Sequence, residues 1–137
     1  MNIHFMSQTD EWATPRDFFA TLDKEFHFTL DPCATKENAT CKKFYTREND
    51  GLAQCRDNER VFCNPPYGRE IKKWVKKASE ASGGLVVMLI PARTDTLYFH
   101  DYIYHQAMIR FLRGRLKFGD SKNSAPFPSM LVIYARK

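Results

Sequence analysis

The sequence predicts a single α/β domain built on a largely parallel sheet. Three observations carry this expectation. The chain has 137 residues, 43% of them hydrophobic, enough for one compact domain with one core. Short runs of strand formers alternate with segments of helical periodicity. Finally, Leu85 to Ile90 is an unbroken apolar run between Gly83-Gly84 and Pro91, the pattern of a strand buried on both faces, as in a parallel sheet.

The elements follow in order. Thr14-Pro15-Arg16-Asp17 reads as a helix start, with Thr14 as cap, Pro15 at the first helical position and Asp17 as capping-box partner. Phe18, Phe19, Leu22 and Phe26 then share one face. Phe26 to Leu30 alternates like a strand and ends at Asp31-Pro32, where proline stops further pairing. Phe44-Tyr45-Thr46 reads as a second short strand before an Asn49-Asp50-Gly51 turn, and Val61-Phe62-Cys63 as a third, ended by Asn64-Pro65-Pro66. Glu70 to Ser79 is an amphipathic helix: Ile71, Trp74, Val75 and Ala78 form one side, Lys72, Lys73, Lys76 and Lys77 the other. Beyond the apolar run, Thr96 to Ala107 reads as a helix. Met108 to Leu112 and Leu116 to Phe118 read as strand segments around Gly114, Gly119 to Ser129 as a loop, and Met130 to Tyr134 as a last strand. In such sheets ligands bind beyond the carboxyl ends of the strands, which is where the candidate residues lie.

Composition narrows the function. No run of apolar residues is long enough to span a membrane, and Met1 to Phe5 lacks the basic and apolar regions of a signal peptide, so a cytoplasmic location is expected. Cys33, Cys41, Cys55 and Cys63 form no C-x-x-C pair, and His4, His27, His100 and His105 form no ligand set. Reduced thiols and no metal are expected. Charge is uneven. Residues 1–60 hold 8 basic and 11 acidic side chains, net −3, whereas residues 61–137 hold 13 basic and 5 acidic, net +8. A strongly basic half points to a polyanionic partner.

Asn64-Pro65-Pro66-Tyr67, at a strand end, carries the chemistry. An exocyclic amine is a poor nucleophile because its lone pair is shared with the ring. A catalyst can hold its two N–H groups with acceptors and draw the nitrogen towards tetrahedral geometry. The Asn64 side-chain oxygen and the Pro65 carbonyl can supply those acceptors, and Pro65 and Pro66 fix the backbone that aims the carbonyl. Tyr67 offers an aromatic face for stacking an extruded base.

These four residues resemble the [DNS]-P-P-[YFW] motif of amino methyltransferases that use S-adenosylmethionine. More widely, the chain is similar to the phage-type DNA N-6-adenine methyltransferases, the phage Dam family. The matching pieces are Glu11 to Pro15, Leu30 to Ala34, Asp50 to Leu52, Val61 to Gly68, Pro91 to Thr96 and Ala125 to Ser129, in one order over about 120 of the 137 residues. The resemblance implies a Rossmann-like methyltransferase fold over residues 1–137, a single compact domain with a mostly parallel sheet and an antiparallel last strand. It also implies S-adenosyl-L-methionine as methyl donor, double-stranded DNA as partner, and a phage or prophage origin in a bacterial cell.

On this reading Asp31-Pro32-Cys33-Ala34 matches the cofactor loop after the first strand. No glycine occurs between Leu30 and Gly51, so the usual G-x-G is absent and the Asp31 carboxylate is expected to meet the cofactor ammonium; a strand-end cap is the alternative role. Asp50 matches the acidic residue that contacts the adenosine, with Glu48 as rival and a local turn as alternative. Trp12 and Thr14 match a motif beside the cofactor, or serve as core tryptophan and helix cap. Arg93, in the loop with Thr94 and Asp95, is expected on the active-site edge, meeting a DNA phosphate or the cofactor carboxylate, with a surface arginine as the alternative. Arg110, Arg113, Arg115, Lys117 and Lys122, with Phe111 and Phe118 interleaved, form a basic set for phosphates, and Phe127 is expected against the target base or buried.

The expected reaction is methyl transfer to N6 of adenine in DNA, without metal or covalent enzyme intermediate. N4-cytosine methylation, protein glutamine methylation and an inactive DNA-binding module remain alternatives. With 137 residues there is no room for a separate target-recognition domain, so recognition is expected to be short or relaxed, or a homodimer supplies the missing surface.

Overall fold

The computed structural model describes residues 12–35, 37–46, 51–52, 58–81, 84–119 and 123–135. In chain order these form α1 (Arg16–Phe26), β1 (Leu30–Asp31), β2 (Lys43–Phe44), β3 (Arg60–Cys63), α2 (Ile71–Glu80), β4 (Leu85–Pro91), a π-helical segment (Phe99–Ile103), β5 (Met108–Phe111) and β6 (Ser129–Ala135). The strands make one six-stranded sheet in the order β2-β1-β3-β4-β6-β5. β2, β1, β3 and β4 run parallel, and β6 lies antiparallel between β4 and β5. The mixed α/β sheet with an antiparallel last strand is therefore present.

Central position explains the composition of β4. It pairs with β3 along one edge and with all seven residues of β6 along the other, and every residue from Leu85 to Pro91 is buried. Both faces are covered, so no polar alternation is tolerated. On α2, Ile71, Trp74, Val75 and Ala78 are the buried residues, as the helical period requires. Beneath α1, Phe19, Phe26, Phe28 and Phe62 pack with ring centroids 5.2–5.7 Å apart. Gly84 enters β4 at φ +63°, where a Cβ would lie 2.3 Å from the Glu59 carbonyl oxygen, so only glycine fits.

Four local expectations are corrected. Thr14 does not cap α1: the helix starts after Pro15 with no side-chain cap. Phe26 to Leu30 is not one strand. Phe26 ends α1, and His27 turns left-handed at φ 53° while its N–H bonds the Asp23 carbonyl. The Asp23 carboxylate then takes the Phe28 N–H, so β1 begins only at Leu30. The helix expected over Thr96 to Ala107 shortens to a π-helical turn closed by Tyr104 N–H on the Phe99 carbonyl at 2.8 Å. Leu116 to Phe118 is not a strand, although it is extended enough for Leu116 to accept from Ala125 N–H at 2.8 Å.

The order of strands also locates a crevice. The chain leaves β1 towards β2 on one side and returns to β3 on the other, so the sheet's switch point lies between β1 and β3. Asp31 ends β1 and Asn64 follows β3. These two residues therefore flank the place where open α/β sheets bind ligands.

Candidate active site

Asn64 leaves β3 half-buried, followed by buried Pro65, half-buried Pro66 and buried Tyr67. Its carboxamide is held at both ends. The Nδ2 group donates one hydrogen bond to the Trp12 carbonyl and another, 2.9 Å long, to Thr14 Oγ1. At the other end the Tyr67 hydroxyl lies 2.8 Å from Asn64 Oδ1 and 3.0 Å from the Leu89 carbonyl in β4, two acceptors for one proton. Burial pushes the Tyr67 phenol well above its ordinary pKa, so that proton stays in place. The Pro65 carbonyl has no hydrogen-bond donor among the described residues.

Trp12 to Thr14 lies across the site like a strap. Besides its two bonds to Asn64, the Ala13 carbonyl accepts from Gly119 N–H at 2.8 Å. The Trp12 ring meets Phe118 and Phe127 edge-on, with centroids 5.5 and 5.1 Å away. Tyr67 contacts the same two phenylalanines at 6.3 and 5.6 Å. The Tyr67 ring is therefore only 6% exposed, which corrects the expectation of an open stacking face. Phe127 is buried as well, taking the inward of its two expected roles, with the Arg93 guanidinium 6.0 Å from its ring centroid.

Across the crevice, Asp31 is 4% exposed. Its Oδ1 accepts from Cys33 N–H, and its Oδ2 from Thr40 N–H and the Thr40 hydroxyl, at 2.9–3.2 Å. The strand-end cap is thus real. Three of roughly four acceptor positions are used, which leaves room for one more donor. Burial raises the Asp31 pKa, opposed by the hydrogen bonds from Thr40 and Cys33, and no cation bonds it among the described residues. A buried carboxylate in that condition fits an ammonium ligand. Gly51 is packed against the adjoining turn: a Cβ there would lie 2.0 Å from the Pro32 carbonyl oxygen. Cys33 is half-buried beside Asp31, and burial pushes the nearby Cys41 thiol up to about 11. Asp50 and its rival Glu48 lie outside the described residues.

The basic set divides. Arg113, Arg115 and Lys117 are exposed along the segment after β5, while the intervening Leu116 and then Phe118 turn inward. Phe118 carries this segment to the aromatic wall of the site. Arg110 is corrected: it is bound to Glu25, with Nη1 2.8 Å from Oε1, and lies over the Phe26 ring at 5.2 Å. Lys122 falls outside the described residues. In the sequence Phe118 stands only as a spacer between cations, although it walls the site. A groove of about 510 Å³, lined by Gly68, Arg69, Lys72, Lys73 and Tyr98 among others, was also not foreseen. The lysine spacing gave only a solvated helix face, and Tyr98 comes from another part of the chain. No helix among the described residues is long and apolar enough to cross a membrane.

The family model described as DNA N-6-adenine-methyltransferase (Dam) matches residues 4–136. The DNA N-6-adenine-methyltransferase of Escherichia phage T1 is 35% identical over 111 residues, which cover 78% of this chain. The chain spans somewhat under half, 46%, of that relative's length. With a match running through the Asn-Pro-Pro-Tyr site and nearly the whole sheet, this chain belongs to the DNA N-6-adenine-methyltransferase (Dam) family.

Proposed function

We propose that this protein transfers a methyl group from S-adenosylmethionine to N6 of adenine in double-stranded DNA, on a Rossmann-like methyltransferase domain. The observation that carries the reading is the acceptor pair at the end of β3. Asn64 Oδ1 keeps a lone pair beyond its contact with Tyr67, and the Pro65 carbonyl keeps both. Two acceptors side by side suit the two N–H groups of an exocyclic amine. Holding them orients the nitrogen and withdraws its lone pair from ring conjugation.

When bound, S-adenosylmethionine supplies an electrophilic methyl carbon. The residues placed to hold it are Asp31, towards the ammonium, with Pro32 and Cys33 in the same turn and Trp12 and Thr14 across the crevice. Asp50 is proposed for the adenosine from the family resemblance. Positioning two reactants in one crevice accounts for much of the catalysis in such direct transfers. The phenol of Tyr67 steadies the Asn64 oxygen rather than taking part in proton transfer, since burial keeps it protonated.

DNA is the substrate the exposed cations favour. Arg113, Arg115, Lys117 and the exposed Arg93 are proposed to meet phosphates, and Lys122 is proposed for the same role from the sequence. The segment bearing Arg113 to Lys117 also bears Phe118, one of the rings over Tyr67. Phosphate contact and entry of an extruded base therefore act on one stretch of chain. Phosphates carry no sequence information, so a short or degenerate target follows. We place the activity in the cytoplasm of a bacterial cell, where phage or prophage DNA is found.

Mass spectrometry of nucleosides after incubating DNA with protein and cofactor tests the reading. N6-methyladenine is expected; N4-methylcytosine or no product would refute it. Asn64→Ala should lower turnover on the order of 100-fold, as removal of one preorganised polar group does, with the fold kept; Asn64, which also lies beside the proposed cofactor position, is proposed to contact the cofactor as well.

A further inference from the structure

A carboxamide is nearly symmetric in shape, yet only one of its two flips is useful here. With oxygen towards the target amine, Asn64 accepts; with nitrogen towards it, two donors face each other. A carboxylate at the same position would accept with either oxygen and need no such control. An asparagine there requires a device that sets the flip.

The structure contains one. Asn64 Nδ2 has two N–H groups, and both are used, on the Trp12 carbonyl and on Thr14 Oγ1 at 2.9 Å. The Trp12 carbonyl can only accept, so the opposite flip would set oxygen against oxygen. The Thr14 oxygen fixes the second N–H and with it the plane of the amide. Its hydroxyl is available because α1 makes no use of it: the helix begins after Pro15 without a side-chain cap. The strap is itself braced from behind, by Gly119 N–H on the Ala13 carbonyl and by the Trp12 ring against Phe118 and Phe127.

We infer that Thr14 is a positioning residue of the methyl-transfer site, its hydroxyl locking the Asn64 amide with the oxygen turned to the reactive amine. The inference deepens the proposed function and rests on Asn64 being the amine acceptor. It gives Thr14 a role in addition to cofactor contact.

The test compares Thr14→Val, which keeps the shape and loses the acceptor, with Thr14→Ser, which keeps the acceptor. In the free wild-type protein, NMR hydrogen exchange should show both Asn64 side-chain N–H protons protected. Thr14→Val should lose protection at one, and Thr14→Ser should retain both. Turnover should fall on the order of tenfold in Thr14→Val, the scale of one lost hydrogen bond, and return in Thr14→Ser. KM for DNA should change little, and any loss of affinity for S-adenosylhomocysteine should be smaller than the fall in turnover. An unprotected Asn64 amide in the wild type overturns the lock, whatever the turnover. So does wild-type turnover in a folded Thr14→Val protein, or a loss confined to cofactor affinity. Wild-type protein that forms no methylated nucleoside would instead sink the functional reading, while the exchange measurement still decides whether the amide is locked.

Discussion

Replacing Gly51 by alanine tests whether two backbone segments must touch for the site to form. A Cβ at this position would lie 2.0 Å from the Pro32 carbonyl oxygen and 3.0 Å from Cη2 of Trp74. Ordinary contact starts at 3.4 Å, so Gly51 and the Asp31-Pro32 turn would have to part by about 1.4 Å. Trp74 is a buried core side chain, which closes the other direction. Overpacking of this kind costs about 1–3 kcal/mol, and a backbone obstacle belongs at the upper end. For a domain of this size that corresponds to a fall in melting temperature of roughly 10 °C. The same movement displaces the turn that carries Asp31. Misplacements near 1 Å can cost on the order of 100-fold in rate, so S-adenosylhomocysteine affinity and turnover should both drop. Gly114→Ala is the control. It has nothing within 4 Å of its Cβ but holds φ +73°, so its cost, about 1 kcal/mol, comes from backbone conformation alone. Differential scanning calorimetry and titration calorimetry read both effects. A Gly51→Ala protein that melts within about 2 °C of wild type and binds S-adenosylhomocysteine equally well would refute the argument from close approach.

Other outcomes follow from the same geometry. Burial raises the Asp31 pKa, so the native state keeps this proton longer than the unfolded chain. The resulting stabilisation is present below the ordinary carboxylate value of 3.8 and is lost as pH rises through the folded value. A bound ammonium favours the ionised form. Affinity for S-adenosylhomocysteine should therefore fall as pH drops through that window, and Asp31→Asn should remove the dependence. Flat affinity in the wild type would take Asp31 out of the cofactor site. For DNA, replacing Arg113, Arg115 and Lys117 by glutamine should flatten the dependence of log affinity on log salt by up to about 2.7, at roughly 0.9 per phosphate contact. Arg110→Gln should leave that slope unchanged because Glu25 already holds the guanidinium. An equal effect from Arg110 would break the assignment.

Local signals carried much of this structure. The spacing of Ile71, Trp74, Val75 and Ala78 defines α2 because one helical face meets the sheet, and the apolar run of β4 is legible because both its faces are covered. Asn64-Pro65-Pro66-Tyr67 is legible as a candidate site since its residues are adjacent in the sequence. Contacts between distant residues were not. Thr14 has the local form of a helix cap, and nothing nearby reveals that its partner lies 50 residues onward. Arg110 looks like its neighbours until Glu25, 85 residues away, is brought beside it. Phe26 and Phe28 alternate like strand residues, but they do so to reach the Phe62 cluster across a helix end. Tyr67 reads as an open stacking platform because its covers, Phe118 and Phe127, are remote in sequence.

The place of β6 in the sheet has a consequence for assembly. β6 lies between β4 and β5, and its pairs with β4 span from 38 positions, Pro91 with Ser129, to 50, Leu85 with Ala135. Until residues 129–135 have been synthesised, one edge of β4 has no partner and β5 has no strand to join. During that interval the apolar edge of β4 is open to other chains, a recognised route to aggregation. β5 cannot shield it, since in the finished fold β5 bonds β6 alone and leaves Met108 and Phe111 exposed. Loop closure of this length precedes any reward from pairing, so docking of β6 is expected to be the slow, committing step of folding. The Asn64 site shares that timing. Phe118 and Phe127, which brace its strap, lie in the connection that β6 draws into place, so the strap over Asn64 is braced only once β6 has docked.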